Sequence, residues 1–166
     1  MSANIFVRRA DPGDGLAIGE IHAEAWSVAY ASFFKPDFAA QAIAERREKW
    51  HAILARNERD AVLGFVGGRP LAFMTFGPSL ELAGSAEIYS CYGHPDGWGS
   101  GVAAAVMAAG LKELRHYGHV HLWTLRDTPQ SHRFYAKSGF VDSGRRRDYD
   151  FGDGEPLAQV EFELTR

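Results

Sequence analysis

The chain has 166 residues, of which 46% are hydrophobic and 23% charged, with a formal net charge of −3. That is enough apolar chain for one globular domain with its own core, expected over residues 1–166, and the acidic balance speaks against a nucleic-acid partner. The single cysteine, Cys91, excludes an intrachain disulfide framework and fits a reducing, cytoplasmic location. No apolar run is long enough for a transmembrane helix, so no membrane partner is expected, and Met1-Ser2-Ala3-Asn4 carries no basic-then-apolar signal.

Ile5-Phe6-Val7-Arg8 reads as a first strand, and Asp11-Pro12-Gly13-Asp14 supplies a turn with helix-capping residues. Leu16, Ile18, Ile21, His22, Ala25, Trp26 and Ala29 recur at helical spacing and predict an amphipathic helix, broken by Phe33-Phe34-Lys35-Pro36-Asp37. A second helix is predicted from about Phe38 to Arg56. Its core face is Ala42, Ile43, Trp50, Ile53 and Leu54, and its Glu45-Arg46-Arg47-Glu48-Lys49 run reads as a solvated face with internal ion pairs. Ala61–Val66 and Leu71–Phe76 flank Gly67-Gly68-Arg69-Pro70 and predict a β-hairpin, followed by a loop from Gly77 to Ser85. Ala86-Glu87-Ile88-Tyr89-Ser90-Cys91-Tyr92 alternates as a strand. Val102 to His116 is rich in helix formers and closes at Tyr117-Gly118. A strand over His119–Arg126, a short helix from Pro129 to Ser138 capped by Gly139, and a terminal hairpin of Phe140–Asp150 and Leu157–Leu164 complete the chain. The predicted order is β-α-α-β-β-β-α-β-α-β-β, an α/β (α+β) fold.

The stretch His94-Pro95-Asp96-Gly97-Trp98-Gly99-Ser100-Gly101-Val102-Ala103 joins the central strand to its helix. Glycines at 97, 99 and 101 permit positive φ and leave no Cβ to block a ligand. N–H groups at 99 to 103 can then point into one concavity at a helix N-terminus, where the dipole favours an anion. A Walker site is excluded, since no lysine follows Gly101, and the glycine spacing is wrong for a dinucleotide fingerprint. Taken alone, the stretch reads equally as a phosphate cradle or as a tight turn without a ligand.

Ile88 to Ala103 resembles the acyl-CoA-binding motif of the GNAT superfamily of N-acetyltransferases. The family signature, Gln/Arg-x-x-Gly-x-Gly/Ala, falls on Trp98-x-x-Gly101-x-Ala103, with Trp98 standing where Gln or Arg is usual. Leu122 to Phe140 resembles the family's next strand, helix and turn, with Thr128 where members often carry Asn. Order and separation of the two segments agree, and with weaker upstream echoes the resemblance covers nearly the whole chain. It implies a GNAT-like mixed, mainly antiparallel central sheet with helices on both faces, splayed between the central strand and the next to admit acyl-CoA. It implies acetyl transfer from acetyl-CoA, as cosubstrate, to a primary amine in a ternary complex. Members are often dimers, so a homodimer is an expected assembly. The implied cofactor contacts are Cys91, Tyr92, Gly93, Trp98, Gly99, Ser100, Gly101, Val102, Ala103, Thr128 and Ser131, with the Cys91 N–H as oxyanion donor.

The implied chemistry needs a base, because a protonated amine is no nucleophile, and a donor for the departing thiolate. Glu87 on the central strand is the candidate base, directly or through water; its other reading is a strand glutamate in solvent or an ion pair. Tyr135 stands where the family has a tyrosine aimed at the CoA sulfur and is the candidate acid. The alternative is a core aromatic, a place adjacent Phe134 could fill instead, since helix neighbours face different ways. Cys91 reads as a small core residue rather than a nucleophile, and His94 as a loop residue or a phosphate contact. His119 and His121 share a strand face without further metal-like partners, so no metal is expected. Trp26, Tyr30 and Phe33 form either an aromatic wall for a cationic acceptor or core, with Tyr89 as a further acceptor contact. Arg145-Arg146-Arg147 is either an exposed hairpin face or a dock for a phosphate or an acidic acceptor. The favoured function is acetylation of a small-molecule amine, because the aromatic-rich helix pair from Gly13 to Arg56 would cover the pocket. The alternatives are a protein or peptide N-acetyltransferase and a non-catalytic acyl-CoA-binding module.

Overall fold

The computed structural model describes residues 4–166, so the expectation for Met1–Ala3 lies outside the described residues. The strands are β1 (Ile5–Arg9), β2 (Asp60–Val66), β3 (Arg69–Pro78), β4 (Ala86–Gly93), β5 (His119–Leu125), β6 (Val141–Tyr149) and β7 (Leu157–Thr165). The helices are α1 (Gly15–Ala29), α2 (Pro36–Glu48), α3 (Trp50–Arg56), α4 (Val102–Glu113) and α5 (Pro129–Lys137). The seven strands form one sheet in the order β1-β2-β3-β4-β5-β7-β6. The β4–β5 pair is parallel, and β1–β2, β2–β3, β5–β7 and β6–β7 are antiparallel, so the sheet is mixed and mainly antiparallel as expected. The β4–β5 ladder covers only Ala86↔Val120 and Glu87↔His121, although both strands run on past it. Among the described residues, no helix is long and apolar enough to cross a membrane. The chain divides into two compact units, Met1–Phe76 with Ser90–Lys112, and Gly77–Tyr89 with Glu113–Arg166.

In the first unit, Asp11 caps the entry to α1. Its carboxylate accepts from the Gly13 N–H at 2.8 Å, while Asp14 accepts from the Asp11 N–H and from the Arg8 fork at 2.7 and 2.9 Å. Ile18, Ile21, Trp50, Leu54, Leu63 and Phe73 form one buried cluster. Leu16, expected on the core stripe, is instead 70% exposed, because it opens α1 ahead of the packed turns. The predicted second helix starts earlier, with Pro36 in its first turn, and is interrupted at Lys49, which divides it into α2 and α3. Expected as a solvated face with internal ion pairs, its charged run also reaches across to α1. Arg47 binds Glu20 and Glu24 of α1, the latter at 3.0 Å, and the Arg46 guanidinium lies 4.3 Å from the Trp26 ring. These charges fasten α2 to α1, which Gly19 allows to come close.

His22 is buried in this core, and its Nδ1 accepts from the Trp50 indole at 3.0 Å. Burial, reinforced by the charges of Lys49 and Arg46, holds its pKa down at about 2. The unfolded chain takes up that proton below about pH 6.5, while the native protein does not. Stability is therefore fully present above about 6.5 and is lost as the pH falls toward 2, by up to about 1.4 kcal/mol per pH unit from this group. Urea unfolding followed across this range checks it. The dependence should flatten in His22→Gln, which keeps an acceptor for the indole but does not titrate.

In the second unit, Ala86, Ile88, Val120, Leu122, Val160 and Phe162 are buried on one face of the strands, with Tyr135 and Phe140 packed beside them. The opposite face is polar. Register places Glu87 beside His121, Trp123 beside Glu161, and Gln159 between Leu125 and Arg147. Helix α4 ends at Glu113 rather than His116, because the Leu114 carbonyl is taken by the Tyr117 N–H at 3.0 Å and the Arg166 guanidinium at 2.6 Å.

Candidate active site

The turn between β4 and α4 belongs to the first unit. His94 is buried; its N–H donates to the Leu71 carbonyl at 2.8 Å, and its Nδ1 accepts from the Asp96 N–H at 3.0 Å. Of the three glycines expected at positive φ, Gly99 (80°) and Gly101 (91°) have it. Gly97 does not. It is glycine for a close approach, since a Cβ there would stand 2.9 Å from the Leu71 Cβ. Ser100 Oγ donates to the Gly97 carbonyl at 2.5 Å and accepts from the Val102 N–H at 3.2 Å. The Ser100 N–H also reaches the Gly97 carbonyl. The expected run of open donors at 99–103 is thereby thinned to Gly99, Gly101 and Ala103, joined by Ala104. None of these four N–H groups makes a hydrogen bond among the described residues, and Gly99, Gly101 and Ala104 are exposed.

Trp98 is 56% exposed, and its indole N–H donates to the Gly93 carbonyl at 3.0 Å. The residue standing where the motif has Gln or Arg thus folds back and closes the turn over Gly93. Cys91 keeps some exposed surface as a residue, but burial pushes its thiol up to about 12. It stays protonated at neutral pH and is no nucleophile. The Tyr92 ring lies 4.5 Å from His22, 5.8 Å from Phe73 and 5.9 Å from Tyr30. Trp26, expected in the acceptor wall, is 1% exposed and stacked on Phe34, and Arg46 already lies over its ring. Tyr30 and Tyr92 keep exposed surface; Trp26 is core, because α2 folds back over the end of α1.

In the second unit, Glu87 Oε1 accepts from the Leu80 N–H at 3.2 Å and lies 3.7 Å from His121 Nε2. His121 is fully buried. Its Nε2 stands 2.6 Å from Ser79 Oγ, and its Nδ1 stands 3.1 Å from Glu161 Oε2. Glu161, also buried, accepts from Ser143 Oγ and from Arg145, both at 2.6 Å. Glu81 accepts from the Trp123 indole at 2.7 Å and from Arg145 at 3.4 Å. Sequence reasoning missed this network. Its acids lie about 40 residues to either side of His121, and the one available signal was charge at alternate positions of the otherwise apolar β7. The expectation that His119 and His121 lack further metal-like partners is corrected here. Glu81, His121 and Glu161 each offer one ligand atom within 4.8 Å of the others, although the Arg145 guanidinium already supplies a cation to both acids.

Tyr89 donates its hydroxyl to the Pro78 carbonyl. Tyr135 is 9% exposed, with its ring against Phe134, Phe140 and Phe162, while Phe134 is the more exposed of the helix pair. The core place expected of Phe134 therefore falls to Tyr135, because Phe140 and Phe162 lie on that side of α5. Thr128 is 1% exposed and donates to the Leu125 carbonyl at 2.9 Å, so its hydroxyl fastens the β5–α5 turn and is not presented to a ligand. Ser131 is half-buried in the first turn of α5, its N–H bonded to the Thr128 carbonyl.

A mixed sheet with one short parallel pair, and a glycine turn with open donors leading from a strand into a helix, define an acyltransferase-type fold. The chain belongs to the acetyltransferase (GNAT) family, whose sequence model matches residues 16–140. It is similar in fold to the PaiA N-acetyltransferase of Thermoplasma acidophilum in complex with coenzyme A, at 18% identity and a TM-score of 0.76, covering 98% of this chain and 99% of that one. It is also similar to an N-acetyltransferase of Staphylococcus aureus Mu50, at 24% identity and a TM-score of 0.72, covering 98% of both chains. A third similar structure is yncA from Salmonella typhimurium with its cofactor acetyl-CoA, at 19% identity and a TM-score of 0.70, covering 97% of this chain and 93% of that one. No curated protein matches the sequence.

Proposed function

We propose that residues 1–166 act as one acetyl-CoA-dependent N-acetyltransferase domain that acetylates the primary amine of a small molecule by direct attack in a ternary complex, in the cytoplasm. The observation that carries this reading is the exposed turn with open N–H groups at Gly99, Gly101, Ala103 and Ala104. Orphan donors at the N-terminus of a twelve-residue helix, with the helix dipole behind them, suit a pyrophosphate. Similar structures bound to coenzyme A and acetyl-CoA support the choice of ligand.

In this reading Gly99 to Ala104 hold the pyrophosphate, and the Cys91 N–H is the donor for the carbonyl oxygen as it gains charge. Glu87 takes the amine proton; it is already oriented by the Leu80 N–H and kept mostly from solvent. Tyr135 is the acid for the departing thiolate, and the rings of Phe140 and Phe162 hold its side chain in one orientation. Holding both substrates together supplies much of the rate without a covalent intermediate.

Calorimetric titration with acetyl-CoA and with free CoA tests the reading. Saturable binding is expected, and Gly101→Glu should abolish it by placing an anion and a bulky side chain at the cradle. Gly101→Ala carries the same backbone strain at φ 91° without the charge, and should retain part of the binding. Absence of binding by the wild type to either ligand would sink the proposal.

A further inference from the structure

Strand β6 carries Arg145-Arg146-Arg147, and two of these three are paired within their unit. Arg145 binds Glu161 at 2.6 Å and Glu81 at 3.4 Å. Arg146 makes a double bond-line to Asp142, at 2.8 Å for each. Arg147 has no carboxylate partner among the described residues. Its Nε donates to the neutral Gln159 amide oxygen at 2.7 Å. Its guanidinium lies 4.3 Å from the Trp123 ring and 5.1 Å from the Tyr149 ring. Its remaining N–H groups make no hydrogen bond among the described residues.

That is an unusual state for a half-buried cation. Burial holds Arg147 below the usual arginine range, opposed by the carboxylates of Glu81 and Glu87 and assisted by the positive charge of Arg145. A guanidinium keeps its proton regardless, so the site holds a partly desolvated positive charge. Two rings and the Nε bond fix its plane, so the two outer nitrogens form a ready fork for a planar anion. Register puts it on the polar face that also carries Glu87. On β5, His121 and Trp123 alternate onto that face, His121 beside Glu87 and Trp123 beside Glu161, while Gln159 stands beside Arg147.

We infer that Arg147, held by Gln159 and Trp123, binds a carboxylate of the acceptor, so that the substrates are amines bearing a carboxylate, free amino acids among them. This inference rests on the acetyl-transfer reading above. A singly charged carboxylate fits better than a phosphate dianion, because Glu81 and Glu87 act on the same guanidinium and would repel a second negative charge. The same two acids suit the acceptor's ammonium, so the face is complementary to a zwitterion: carboxylate toward Arg147, amine toward Glu87.

The test uses amines that differ only in the carboxylate, L-phenylalanine against 2-phenylethylamine and L-leucine against 3-methylbutylamine, each with the CoA-loaded protein. Binding is read by calorimetry, and turnover separately by CoA release from acetyl-CoA. The wild type should prefer each acid over its decarboxylated partner by roughly 10- to 100-fold, the range of a charge-assisted bidentate pair. Arg147→Gln should bring that ratio to about one, mainly through KM, and Arg147→Lys should restore part of it. Arg146→Gln, which alters an exposed pair with Asp142, should keep the preference. Failure of the wild type to bind either acid, or an unchanged preference in Arg147→Gln, would overturn the inference even if CoA is released. Binding of the acids without CoA release would instead count against acetyl transfer and leave carboxylate recognition standing.

Discussion

Replacing Glu87 by glutamine should lower kcat by roughly 100- to 10,000-fold, the usual contribution of a positioned general base. The substitution keeps the size of the side chain and an oxygen for the Leu80 N–H, which Glu87 Oε1 accepts at 3.2 Å. It removes only the basicity, so binding of CoA should be unaffected. The residual activity should climb as the pH approaches the pKa of the amine itself, since the acceptor must then lose its proton unaided. Steady-state rates of CoA release with pH, set beside a CoA titration of the same variant, measure both quantities. Unchanged turnover would remove Glu87 from the mechanism while leaving the phosphate turn intact.

The largest effect on stability should come from Gly19→Ala. In an ordinary helix interior this change gains up to about 1 kcal/mol, because alanine restricts the unfolded chain and favours the helix. Here the sign should reverse, to a loss of about 3 kcal/mol. A Cβ at Gly19 would stand 2.1 Å from the Arg47 carbonyl oxygen and 2.9 Å from its carbon. That obstacle is backbone, so no side-chain rotation relieves it. α1 and α2 would have to separate, loosening the Arg47 bonds to Glu20 and Glu24 and the Arg46 contact over Trp26. Urea unfolding of the variant gives the number directly. A stabilised variant would mean that the two helices move apart freely.

The two expected results differ in how visible their cause was in the chain. Glu87 lies in an alternating strand beside a glycine-rich turn, so both its position and its candidate role could be proposed from local pattern and resemblance. Gly19 carries no such mark. It is one glycine in an amphipathic stretch, and only the approach of Arg47, 28 residues away, gives it a function.

Local physics was sufficient for most of the elements. Asp11 and Asp14 cap, Pro36 and Pro129 open helices, Gly139 ends one at φ 99°, and the alternation of Ala86–Tyr92 and Leu157–Leu164 makes strands. These depend on neighbours within a few residues, so the chain by itself determined the element order apart from the break at Lys49, the strand–turn–helix that begins at residue 86, and the family. What the tertiary structure alone decided were the partners of polar and aromatic side chains. It put Tyr135 rather than Phe134 in the core, turned Trp98 back onto Gly93, and engaged the Thr128 hydroxyl with Leu125. It surrounded His121 with Glu81, Glu87 and Glu161, and paired Arg145 and Arg146 while leaving Arg147 without a carboxylate partner among the described residues. The reason is that a side chain's charge and exposure depend on what strand register and loop closure bring to it from distant residues, and no local periodicity encodes that.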